Sequence, residues 1–388
     1  MIKKYIISLT AMFLLAGAFT SCKKDKIDDN MPVVKYVRPI DSDAADQLLT
    51  SVDMGATVAI VGEHLGNVTE VWFNDRKAKL NPNMVSPTNI IVVVPDEMPS
   101  VISDTITLIT ASGKVCKFAL GLNIPAPDVA EISCEWAKDG DEVIIRGRYF
   151  FNVSEVLFAG NLRGEIVSST ETSVTVIVPD GTLSGAITVT SIYGTGRSKF
   201  TFRDATGIFI DGEDPAAWNW WGRSDFGTDG GLNGQYVWLH GTGGSWSWPA
   251  DQLQLLYFSG GKTLIPAEEN PENYALRFEY KVENWKQPNM YMWFTAAEDA
   301  NIDADNACQY LWEPYKIDDA VTNLQMSNWA TATIPLSEFN VNKSTGSTNM
   351  HYTSSAQIVN FNCFVFGDAA ESLPIDIKMD NLRLVKIK

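Results

Sequence analysis

The chain predicts an all-β protein built as three consecutive sandwiches, two small and one larger. A block of residues recurs at a constant spacing of 85, Gly55 returning as Gly140 and Phe73 as Phe158. Short β-branched runs are punctuated by Gly, Pro and Asp, the pattern of strands and turns. Of the 12 tryptophans, all but Trp72 and Trp136 fall after residue 205. With 388 residues, 45% hydrophobic and 20% charged, the chain is globular and long enough for several domains. Asp and Glu number 47 against 30 Lys and Arg, a formal net charge of -17. So acidic a chain lacks the basic footprint that phosphate backbones require, which argues against nucleic acid as a partner, and its folded surface is unsuited to anionic lipid.

Residues 1–22 read as an export signal. Lys3 and Lys4 supply the positive start, residues 6–18 are mostly apolar but too few to span a bilayer, and the segment stops at Phe19-Thr20-Ser21-Cys22. Small residues just before a cysteine resemble a bacterial lipobox, although that pattern usually has Leu where Phe19 stands. The resemblance implies cleavage and acylation at Cys22, and so a lipid anchor. Residues 23–31 form a charged tether. Asp28-Asp29 resembles the acidic tag of Bacteroidota lipoproteins, which implies the outer membrane and its exterior face. Four cysteines remain, Cys116, Cys134, Cys308 and Cys363. Export permits disulfides, and the lack of a CxxC spacing argues against a zinc knuckle or redox motif. Cys308 and Cys363 could pair or stay as buried thiols.

Residues 32–125 and 126–205 are the two repeat copies. Gly55, Val58, Ile60, Gly62, Asn67, Val68, Glu70, Val71 and Phe73 match Gly140, Val143, Ile145, Gly147, Asn152, Val153, Glu155, Val156 and Phe158. The match resumes one residue out of step, Val94-Pro95-Asp96 against Val178-Pro179-Asp180, as a loop deletion gives. A repeat this long is a whole domain. In each copy β-rich runs (57–61, 142–146) end at Gly62 and Gly147, and the runs at 90–94 and 174–178 stop at proline. This spacing predicts sandwiches of immunoglobulin type. Gly-x-x-Val-x-Ile-x-Gly, Asn-Val-(Thr/Ser)-Glu-Val-x-Phe and Val-Pro-Asp together resemble the IPT/TIG family of immunoglobulin-like domains. The resemblance implies spacers that hold a terminal domain away from the membrane.

Residues 206–388 carry Trp218, Trp220, Trp221, Trp238, Trp246, Trp248, Trp285, Trp293, Trp312 and Trp329, more than a sandwich core of this size needs. A flat indole can stack on the apolar C–H face of a pyranose, adds a donor at its rim and has only two χ angles to order. By analogy with base stacking, each such platform contributes about 1–3 kcal/mol. Trp218-Asn219-Trp220-Trp221-Gly222 and Ser245-Trp246-Ser247-Trp248-Pro249 have loop compositions, and indoles exposed there are costly unless they bind something. Trp220, Trp221, Trp246 and Trp248 are therefore the leading ligand-binding candidates. In the strands, Leu276, Phe278, Tyr280 and Val282 alternate with Arg277, Glu279 and Lys281, a half-buried pattern. Met290, Met292 and Phe294 read as an inward face. Tyr291, Trp293 and Thr295 take the other face and could line a groove, extended by Tyr310, Trp312, Glu313 and Tyr315. Trp329 reads as structural. His64, His240 and His351 lie in separate segments, and only His240, beside the glycine-rich loop, is placed to hydrogen-bond a ligand.

The segment 329–336 and Met379-Asp380-Asn381-Leu382-Arg383-Leu384 resemble parts of jelly-roll carbohydrate-binding modules. The fold class is then all-β: two immunoglobulin-like (IPT/TIG) sandwiches followed by a larger jelly-roll-like β-sandwich. Lipobox, tandem IPT/TIG domains and Trp-rich terminal sandwich together resemble the surface glycan-binding proteins of Bacteroidota polysaccharide-utilisation systems, closest to those that bind xyloglucan or a related β-glycan. This implies a non-catalytic lipoprotein that captures a neutral polysaccharide (xyloglucan, β-glucan or β-mannan) beside a glycan-import transporter complex. The candidate ligand-binding set is Trp220, Trp221, Trp246, Trp248, Tyr291, Trp293 and Trp312. No cofactor is expected beyond a structural Ca²⁺ that the resemblance implies, with Asp211, Glu213 and Asp380 as oxygen donors. Two alternatives stand beside this reading. A glycoside hydrolase or lyase with a shallow cleft needs only two carboxylates about 5–10 Å apart, although no HExxH, GxSxG or P-loop is present. A structural adhesin would use the tryptophans as a hot spot for a protein ligand.

Overall fold

The computed structural model describes residues 30–44, 46–213, 225–247, 253–296 and 307–388, and across them the chain is strand, turn and short 3-10 helix. It divides into two compact units, Met1–Ile124 and Pro125–Lys388. In the first unit Val33–Pro39, Thr57–Glu63 and Asn89–Val93 form one sheet, and Arg76–Lys77, Val68–Phe73, Thr105–Thr110 and Val115–Ala119 form another. Alternate residues of both sheets, Val37, Ile60, Val71, Phe73, Ile90 and Leu108 among them, make one core.

The second unit begins with the same arrangement. Asp128–Ile132, Glu142–Arg148, Ser173–Ile177 and Glu165–Ser169 share a core with Leu162–Arg163, Glu155–Phe158, Thr188–Ser191 and Gly194–Arg197. The repeated glycines have matching reasons. Gly62 and Gly147 lie where a bulged first strand crosses the next. A Cβ there would come within 1.9 Å of the carbonyl oxygen of Val33 in one copy and of Asp128 in the other. Gly55 and Gly140 instead adopt left-handed turns, φ 75° and 86°. His64 and Tyr149, equivalent in the repeat, share the left-handed backbone too, so His64 marks a turn.

The rest of the second unit is a larger two-sheet sandwich. One sheet runs Asp225–Gly227, Tyr236–Gly243, Leu373–Lys386, Tyr274–Asn284 and Ala330–Pro335, with Ile208–Ile210 also paired to Leu373–Lys386. The other runs Gln254–Tyr257, Asn360–Val365, Met290–Thr295, Gln309–Trp312, Val341–Asn342 and Ser347–Thr348. Leu276, Phe278 and Val282 from the first sheet share a core with Met290, Met292, Phe294 and Phe361 from the second. Cys308 and Cys363 lie in this core unpaired, and all four cysteines among the described residues are free thiols. Burial pushes the Cys308 thiol up to about 11 and those of Cys134 and Cys363 higher still, so all three behave as small hydrophobes.

One face departs from its sequence pattern. Arg277, Glu279 and Lys281 alternate as a solvent face would, yet Glu279 is wholly buried. The second sandwich covers it. Arg383, equally buried, donates to both Glu279 oxygens at 2.8 and 3.0 Å and to Glu135 of the second sandwich at 2.8 Å. Arg277 donates to the other Glu135 oxygen at 2.9 Å. Across from Glu279 in the strand pair is Asp380, whose Oδ2 is buried without a hydrogen-bond partner among the described residues. Burial above all, with the charges of Glu279, Asp211 and Glu213 adding to it, pushes the Asp380 carboxyl up to about 8.

Two outcomes follow for stability. Gly147→Ala is expected to cost roughly 2–3 kcal/mol through the carbonyl clash, and Gly140→Ala only about 1 kcal/mol, compared by urea unfolding. For Asp380, the folded state retains a proton that the unfolded chain releases above its ordinary pKa of 3.8. Wild-type stability therefore declines from about pH 4 to about pH 8. The advantage of Asp380→Asn over wild type should be small at pH 4 and grow to the order of a few kcal/mol by pH 8; a difference that does not change with pH would contradict the assignment.

Candidate functional site

The second sheet of the C-terminal sandwich seals the main core with one face and carries rings and amides on the other, where Leu256, Tyr291, Trp293, Ala307 and Phe364 form a second, smaller buried cluster. The register defines two cross-strand rows. Gln254, Phe364, Tyr291 and Leu311 stand side by side in one, and Leu256, Asn362, Trp293 and Gln309 in the other. Trp293 and Phe364 meet edge to face with centroids 5.2 Å apart, a favoured geometry for aromatic pairs. Both rings are buried, as is Tyr291, so these side chains form a floor. The Trp293 indole N–H is buried with no hydrogen-bond partner among the described residues, an unsatisfied donor within the cluster. Burial pushes the Tyr291 phenol up, which keeps it neutral and able to donate.

Trp246 reaches this face from the loop after Tyr236–Gly243 and is 56% exposed. Its backbone adopts φ 49°, an uncommon conformation for a bulky residue that the surroundings must hold in place. Its N–H donates to the Gly367 carbonyl at 2.7 Å, and the Ser245 hydroxyl to Asp368 at 2.8 Å. The indole edge meets Phe366 at 5.7 Å. Lys343 projects over the same group of rings, its Nζ 3.4 Å from the Phe366 centroid, 5.2 Å from Trp246 and 5.4 Å from Tyr291. The lysine backbone is pinned by the Gln309 side chain, which accepts its N–H at 2.8 Å. The result is a braced, exposed indole beside rings, amides, the Lys343 ammonium and the Asp368 carboxylate. Among the described residues of the two rows none is acidic.

The structure sorts the sequence candidates. Trp246, Tyr291 and Trp293 come together on this face. Trp220, Trp221 and Trp248 lie outside the described residues. Trp312 is not on it: its partner in register is Met290, an inward residue, and its ring packs on Phe278, Tyr280 and Trp285 in the core. Tyr310 pairs with Met292 and points inward for the same reason. Tyr315 is buried with its hydroxyl donating to Asn289 at 2.7 Å. His240 belongs to the other sheet, stacked on Trp238 at 3.8 Å and bonded to Asp225. Trp329 is structural, its N–H donating to the Gly230 carbonyl and its ring packed towards the second sandwich. Asp211, Glu213 and Asp380 do not gather as Ca²⁺ donors: no group of three His, Cys, Asp or Glu able to hold a metal occurs among the described residues. Glu213 instead accepts the Gln235 N–H. Phe364, Phe366 and Lys343 were absent from the sequence-derived set. The two phenylalanines follow from period-2 alternation with inward Cys363 and Val365, whereas nothing local marks the lysine.

Residues 202–386 match the model of the family described as surface glycan-binding protein B xyloglucan binding domain. Over those residues the chain is similar to the xyloglucan-binding domain of the surface glycan-binding B proteins. Over 92% of its length it aligns with 99% of the surface glycan-binding protein PbSGBP-B from Prevotella bryantii, at 25% identity and a TM-score of 0.74. It shares the fold of the SGBP-B from a complex xyloglucan utilization locus in Bacteroides uniformis, at 17% identity and a TM-score of 0.52 over 92% of this chain and all of that one. An IPT/TIG domain-containing protein of Bacteroides ovatus is 34% identical over 158 residues, 39% of this chain and 32% of the relative, so the chain matches about a third of that relative's length. The domain that matches the SGBP-B family is the one that bears the aromatic face.

The two tryptophans that structure separates should respond differently. Trp246→Ala should leave stability within about 0.5 kcal/mol of wild type, while Trp312→Ala should lose about 3–5 kcal/mol, both measured by urea unfolding.

Proposed function

We propose that the protein is a non-catalytic, cell-surface glycan-binding protein that captures a neutral β-glycan of the xyloglucan class on the outer face of its C-terminal sandwich. The observation that carries this reading is Trp246, an exposed indole on a braced loop at the edge of the ring-and-amide floor, within the domain that matches the xyloglucan-binding family. The indole would stack on a sugar face, and the Lys343 ammonium beside it would meet hydroxyls. Acylation at Cys22 would anchor the chain in the outer membrane, and the two immunoglobulin-like sandwiches would carry the face outward to pass glycan to an import transporter. Repeated weak contacts along a polymer give useful avidity even where each site is weak. Hydrolysis and protein adhesion are both disfavoured by the glycan-binding relatives.

Affinity electrophoresis through gels containing neutral polysaccharides tests the reading. Xyloglucan should retard the wild type, Trp246→Ala should lose most of the retardation, and raising the salt should change it by less than roughly twofold, since stacking and neutral hydroxyl contacts are little screened. Release of reducing sugar, or indifference to every glycan offered, would overturn the proposal.

A further inference from the structure

The outer face of the first C-terminal sheet is an interaction surface, and its partner is the chain's own second sandwich. Three kinds of contact meet there. The Thr331 N–H donates to the Ser133 carbonyl at 2.9 Å, extending main-chain hydrogen bonding across the boundary. The Thr331 hydroxyl accepts the Glu135 N–H at 2.7 Å and donates to Glu279 at 3.0 Å. Apolar side chains cross as well, since Leu232 is counted within the second sandwich's own core and Trp329 packs against it. At the centre, two arginines and two glutamates form a closed set: Glu135 bridges Arg383 and Arg277, and Arg383 bridges Glu135 and Glu279. The side chains of Arg383 and Glu279 are 0% exposed and that of Glu135 is 5%.

Such a set has an asymmetric energetics. Complete, its Coulomb attraction offsets the cost of taking the ions out of water; lacking one member, it strands a buried charge, which is strongly destabilising. Glu135 is the member supplied by the other domain. Without the second sandwich, Arg383 and Arg277 each lose a partner, and Trp329 and Leu232 lose their cover. A spacer joined only by a linker would place no such demand on its neighbour.

We propose that the second immunoglobulin-like sandwich is an integral part of the C-terminal module, the two forming one cooperative folding unit closed by Glu135. The stability of the aromatic face is then governed from a domain that does not contribute to it. This inference is independent of which ligand the face takes.

Native-state hydrogen exchange on the full chain tests it. In the wild type, the core amides at 143–145 and 174–176 of the second sandwich and those at 292–294 and 361–365 of the C-terminal sandwich should open together as denaturant is raised. Glu135→Ala should increase opening in both sets alike, by about a hundredfold or more, and Glu135→Gln, which keeps the shape, by less. Glu135→Ala with Arg383→Met should recover part of the loss, because the stranded charge is gone. Exchange accelerated in only one set, or a second sandwich that opens while the C-terminal sheets stay protected, would overturn the proposal. If Glu135→Ala fails to fold, the wild-type denaturant series and the Gln variant still decide it.

Discussion

Side chains alternate along a strand, so a sheet that seals a core with one face commits its other face to something else. The candidate site depends on this constraint. Met290, Met292 and Phe294 close the core, and that placement puts Tyr291 and Trp293 on the opposite face. Pairing then carries the commitment sideways, so that Phe364 and Asn362 on one neighbour and Leu311 and Gln309 on the other join the same surface. Ring and amide side chains arrive there together because the register fixes both.

The two sheets of the C-terminal sandwich solve their outer faces differently. The second carries rings and amides, with Trp246 and Lys343 brought to it by loops. The first carries alternating charges, and part of it is covered by a neighbouring domain through the buried arginine–glutamate set. Burial without an ionic partner would have made Arg383 and Glu279 untenable; with Glu135 and Arg277 the set pairs two positive with two negative side chains, and of its buried atoms only the Arg383 Nε–H lacks a partner among the described residues. The same sandwich thus packs one face against its own chain and gathers rings and amides on the other.

Most of the fold was legible in the sequence because its signals are local. The repeat fixed two similar sandwiches, and its glycines have steric reasons that any single copy would show, as at Gly62 and Gly147. The alternation in 290–295 assigned both faces of that strand correctly. Trp312 was misread because its orientation is set by its pairing to Met290, which no local pattern records. Phe364 and Phe366 were legible only by following the alternation outward from inward Phe361, Cys363 and Val365, with Asn360 and Asn362 sharing their face. The burial of Glu279 was illegible for a stronger reason: its covering partner comes from a different domain, and a charged alternate position looks the same whether it faces water or an ion.

In the proposed function the contact that stacks on the glycan is the exposed indole of Trp246, in a domain that matches a xyloglucan-binding family. Stacking of this kind would leave charge and pH nearly unused, which would suit an acidic protein and an uncharged polymer. A crystal structure of the protein with a xyloglucan oligosaccharide tests the account most directly. It predicts a sugar ring stacked on Trp246, with ligand hydroxyls near Lys343. An oligosaccharide ordered instead on the Trp238 and His240 side of the other sheet, or on either immunoglobulin-like sandwich, would contradict it.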